Sequence, residues 1–86
     1  MSAITSMSAS DLAQVLFTTA LQASDHPSAR QVRAAIGDRL RHGDPASCAA
    51  YVAQEAGDHP EVYVARMRWA LDTVAHVYAP CHLAAA

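Results

Sequence analysis

Five histidines and two cysteines are the residues of this 86-residue chain whose chemistry is easiest to picture. Cys81 and His82 are adjacent, Cys48 falls inside a helical pattern, and His42 and His76 could meet if their helices packed antiparallel. Structural zinc sites usually present paired ligands at short spacings, Cys-x2–4-Cys or His-x3–5-His, and none of these candidates is paired in that way. Adjacent side chains also point in different directions, so Cys81 and His82 are a poor start for a chelate. The expectation is no metal and no cofactor, with a metal or redox site at Cys48, Cys81 and His82 as an alternative. A nucleophilic cysteine needs a nearby base and an exposed, electropositive setting. Cys48 reads as inward-facing, and Cys81 has no oxyanion-hole candidate beside it. The carboxylates are otherwise employed: Asp58 and Glu61 read as helix caps, and Arg68 with Asp72 is an ordinary i, i+4 pair. Three glycines leave little room for a phosphate loop. These residues point to a protein that is not an enzyme.

Recognition is the chemistry that remains. Trp69 shares a secondary apolar helix face with Val62 and His76, with Arg66 at its rim, and tryptophan is enriched at interface hot spots. These four residues are the candidate interaction site, for an unidentified protein partner or a second copy of the chain as a homodimer. The more ordinary reading of Trp69 is core, covered by Leu16, Phe17 and Leu21. The segment from Val52 through Gly57 to Trp69 also resembles a helix-turn-helix, with Ala53 four residues before the turn glycine. In that alternative the chain is a DNA-binding transcriptional regulator using Arg66 and Arg68. The would-be recognition helix opens on Asp58, His59 and Glu61, however, where a DNA reader presents donors.

These residues need helices to hold them. Asp58, Pro60 and Glu61 are a start signal, and beyond them Val64, Met67, Leu71, Val74 and Tyr78 recur at three- and four-residue steps, flanked by Tyr63, Ala70 and Val77. The pattern predicts a helix over 59–78 with that stripe inward, stopped by Pro80. Ser28 with Gln31 is a capping box for a helix over 28–42 whose stripe is Val32, Ile36 and Leu40, closed by Gly43 as a left-handed residue. Asp44 and Pro45 open a third helix over 45–56 with Cys48, Ala49, Val52 and Ala56 inward, closed by Gly57. Residues 11–23 fit a helix capped by Asp11 and Gln14, although the run Val15 to Thr19 is β-prone, and an extended arm is the alternative. The tripeptide Asp-His-Pro, at Asp25 and again at Asp58, reads as a reused cap.

Composition bounds the rest. A chain this short buries a modest fraction of its surface, and twenty of its apolar residues are alanines, which add little core but let helices approach closely. The net charge of −2, with six arginines and no lysine, lacks the basic excess of a general nucleic-acid or anionic-membrane binder. Two cysteines make no disulfide scaffold, and no stretch reaches the roughly 20 apolar residues of a membrane span. A reduced, cytoplasmic protein without membrane contact is expected.

At Leu16-Phe17-Thr18, Gln22 to Asp25, Gln31-Val32-Arg33, and Ala53-Gln54-Glu55 through Pro60-Glu61 to Ala65–Ala70, the chain resembles small actinobacterial helical proteins of unknown function, over about residues 15–78. The resemblance carries no activity, cofactor or site. It implies an extended course at Ala20 and Ala23, where that group carries proline. The expectation is an all-α fold, a small three- to four-helix bundle with an N-terminal arm and helix-turn-helix-like geometry as a variant. It comprises a flexible N-terminus over 1–10, a single helical domain over 11–79 and a C-terminal tail over 80–86. Its function is expected to be a small regulatory or protein-interaction module.

Overall fold

The computed structural model describes the backbone of residues 7–85 and the side chains from Met7 to Tyr78. The chain is an all-α bundle of helices α1 (Ala9–Phe17), α2 (Ala29–His42), α3 (Pro45–Asp58) and α4 (Pro60–Ala85), with a 3-10 turn over Ala23–Asp25. The segment taken for a flexible terminus, 1–10, is in part the start of α1; its first six residues lie outside the described ones.

The shortest α-helix is the centre of the bundle. α1 packs against α4, α3 and α2, most extensively against α4. Leu12, Ala13, Val15, Leu16 and Phe17 are all buried, so five of its nine residues face protein. Those five cover more than half of its circumference, leaving Ser10, Asp11 and Gln14 toward solvent. Ser8 and Asp11 make its capping box: the Ser8 hydroxyl accepts from the Asp11 amide at 3.1 Å and the Asp11 carboxylate from the Ser8 amide at 3.3 Å. The box therefore sits one turn earlier than Asp11 with Gln14 would have put it. The helix also ends earlier than residue 23. The hydroxyls of Thr18 and Thr19 fold back on the carbonyls of Val15 and Leu16, each at 2.7 Å, offering the backbone an alternative to the next turn. Beyond them the chain runs as an arm to the 3-10 turn, so helix and arm are both present in sequence.

α2 is capped as its residues require, Ser28 and Gln31 exchanging bonds of 3.1 and 2.8 Å. Val32 and Ile36 are buried beside α1, with Leu40 packed at the edge. Gly43 closes it in an extended conformation, φ −168°, and not in the left-handed one. The left-handed residue is His26, φ 47°, directly before Pro27. In α3 the Asp44 carboxylate accepts from both the amide and the hydroxyl of Ser47 at 2.7 Å. These bonds, the hydroxyl's first, hold the Asp44 carboxyl below its usual range. Cys48 and Val52 are buried, as expected of that face.

The α3–α4 corner differs from the expectation. α3 runs through Gly57 to Asp58, so Asp58 ends one helix instead of capping the next. A single residue, His59, joins the two: its amide donates to the Glu55 carbonyl and its carbonyl accepts from the Tyr63 amide, both at 2.8 Å. Proline at position 60 keeps His59 out of the α region, which is sufficient to break the helix there. A helix-turn-helix takes three or four residues to make its turn, and this corner has one. α4 then continues past Pro80 to Ala85, where the sequence pattern stopped it. It is also turned by roughly 60° about its axis from the expected stripe. Ala70 and Val74 are buried, whereas Val64 and Leu71 remain 48% and 42% exposed. α4 thus turns its small Ala70 fully into the core and leaves the larger Leu71 at the edge, on the element that packs most extensively against α1.

Candidate interaction groove at the end of α1

The last carbonyls of a helix carry partial negative charge and lack intrahelical donors. α1 has no basic residue in its own last turn, so cations arrive from elsewhere. Arg66, on α4, donates from Nε to the Phe17 carbonyl at 2.9 Å and from Nη2 to the Thr19 carbonyl at 2.8 Å. Its guanidinium carbon lies 5.4 Å from the Phe17 ring centroid and 5.1 Å from that of Trp69, within cation–π range of both. Burial holds the Arg66 guanidinium below its usual value, opposed by Tyr51. Arg39, on α2, donates to the Thr18 hydroxyl at 3.1 Å, and the same hydroxyl lies 3.7 Å from the buried Cys48 thiol. Phe17 completes the junction with Tyr51 and Tyr63, ring centroids 6.4 and 6.0 Å away.

Arg66 and the indole of Trp69 form the floor of an open groove of about 460 Å³. Gln22 and Ala23 of the arm make one wall, and Glu61, Val62 and Ala65 of α4 the other. A second hollow of about 360 Å³ adjoins it, sharing Gln22, Val62 and Arg66 and reaching Tyr51 and Glu55 on α3. Val62 and Tyr51, 59% and 50% exposed, are the large apolar side chains along the way. Apolar walls around a fixed cation can receive an apolar segment and orient one polar group of it.

Of the sequence candidates, Val62, Arg66 and Trp69 come together here. Trp69 is half-buried, packed on the core and lining the groove at once, so the two readings of it are not exclusive. His76 is not in this groove: it is exposed and lines a separate cleft with Pro27, Ala29 and Thr73. Arg68 is exposed and two residues from Arg66, about 200° around the helix, so the two arginines do not present a common surface. Among the described residues, no three His, Cys, Asp or Glu side chains gather to hold a metal, and no helix is long and apolar enough to cross a membrane. The side chains of Cys81 and His82 lie outside the described ones. Sequence reasoning missed the Gln22–Ala23 wall and the cap made by Arg66. A hint of the cap is an α1 that ends without a cation, but which arginine reaches it depends on the turn of α4.

Comparison with models of known families, with curated proteins and with solved structures found no match to the chain.

Proposed function

We propose that the chain is a small non-enzymatic interaction module whose groove at Val62, Arg66 and Trp69 takes an apolar segment of a protein partner. The observation that carries this reading is the exposure of Val62, 59%, beside a half-buried tryptophan on a floor whose arginine is already fixed by two carbonyls. A solvated groove of this make-up loses unfavourable apolar exposure when filled, and needs no reorganisation to receive its occupant. The reading includes a cytoplasmic setting, which the free Cys48 thiol suits.

The test is affinity capture from a lysate of the source organism, split into nuclease-treated and untreated halves, with Val62→Asp as the control. Val62 is exposed enough for the variant to keep its helical circular dichroism. A protein captured from both halves and lost with Val62→Asp is the expected result. Capture abolished by nuclease, together with salt-dependent duplex binding that weakens on Arg68→Ala, would overturn it in favour of a DNA-binding regulator.

A further inference from the structure

The outward side of α4 places opposite charges and matching alanines at equal distances from one level. About the level of Ala70, Arg68 stands two residues before and Asp72 two after, Ala65 five before and Ala75 five after, with Trp69 and Leu71 as immediate neighbours. Ala70 itself is buried. At 3.6 residues per turn, Ala65, Arg68, Asp72 and Ala75 fall in one arc directly opposite it, and all four are exposed. The free face of the longest helix therefore carries opposite charges and like alanines at equal distances from its centre, with the unlike Val64 and His76 on its flanks. Those charges are not spent within the chain: the ion pairs among the described residues are Arg41 and His42 with Asp38, on α2. Meanwhile, among its described side chains, α4 fully buries only Ala70 and Val74 and leaves Val62, Val64 and Leu71 substantially exposed.

From this pattern we infer that the chain forms a two-fold homodimer in which α4 packs antiparallel against α4 of a second copy, with the axis at the level of residue 70. The two-fold brings Arg68 opposite Asp72 of the second copy, twice over, and Ala65 opposite its Ala75. Leu71 lies beside Leu71 of the second copy on one flank, and Trp69 beside Trp69 on the other. A parallel pairing sets Arg68 against Arg68 and Asp72 against Asp72, and so is disfavoured by charge alone. With alanines flanking the charged pair, the two axes are expected about 8–10 Å apart. Glu61, nine residues from the centre, falls opposite the level of Ala79 and meets no charge of its own sign. Oligomerisation is also a usual remedy for a core this small. The inference goes beyond the groove reading: Arg68, Leu71, Asp72 and Ala75 line no part of the groove, while Ala65 and Trp69 border both surfaces.

Sedimentation equilibrium on the full chain tests it. The wild type is expected to dimerise, and Arg68→Asp or Asp72→Arg alone to weaken the dimer about tenfold or more. The double variant Arg68→Asp/Asp72→Arg is expected to recover it, since the two-fold then opposes the exchanged charges. Circular dichroism of all three should match the wild type, as both side chains are exposed. A wild type that stays monomeric up to about 0.5 mM overturns the inference, as does a dimer indifferent to the single reversals or a double variant as weak as they are. A monomer that still loses its captured protein on Val62→Asp would remove the dimer and leave the groove reading standing.

Discussion

Arg66 is the residue on which two helices agree. Its side chain ties α4 to the end of α1 through two carbonyls that lack intrahelical donors, and it is clasped between two aromatic rings. Arg66→Ala leaves those carbonyls part-buried and unpaired, and is expected to cost about 2–3 kcal/mol in urea-induced unfolding. Arg66→Lys keeps the charge but cannot span both acceptors with a fork, and should fall between wild type and Ala. At Asp44 the expectation concerns pH. Its carboxyl is held below the usual value by Ser47, so its cap stabilises the fold above the ordinary aspartate range and is lost as pH falls through the lowered folded value. Denaturation of wild type and Asp44→Ala should therefore differ at pH 7, and the difference should shrink once pH falls below the ordinary aspartate range. The Asp44 cap could be read in the sequence, because Asp-Pro before a helix is a local signal. The duty of Arg66 could not, because its acceptors lie 49 and 47 residues away.

At the scale of elements, α2 and α3 were legible and α1 and α4 only partly so. Ser28 with Gln31 and Asp44 with Pro45 fix two helix starts from neighbours in sequence. α1 was ambiguous because its Val-Leu-Phe-Thr-Thr run suits a strand locally, and only its packing against three other helices makes it the central helix. α4 was legible as a helix but not in its rotation: with apolar residues on both sides of its wheel, which side turns inward depends on the other helices packed against it. Length and burial therefore separate, which hydrogen exchange can measure. The slowest amides should be those of Val15 to Phe17 in nine-residue α1, together with Val32 to Ile36, and not those of the longer α4. Slower exchange in the first turns of α4 would mean that α1 opens by itself and is no centre.

At the scale of the molecule, the expected all-α bundle is present, and its connections explain where the site lies. The groove exists because α1 stops short and the arm through Gln22 and Ala23 must travel past α4 to reach α2. No periodicity in the sequence encodes that detour; it follows from two threonines turning their hydroxyls back on the helix. The same junction makes closure of the fold a joint event: the helix that ends at Phe17 is finished by a donor 49 residues further along the chain, Arg66. A nine-residue helix is marginal by itself, so α1 closes only with α4 already against it, and the bundle is expected to form cooperatively and not helix by helix.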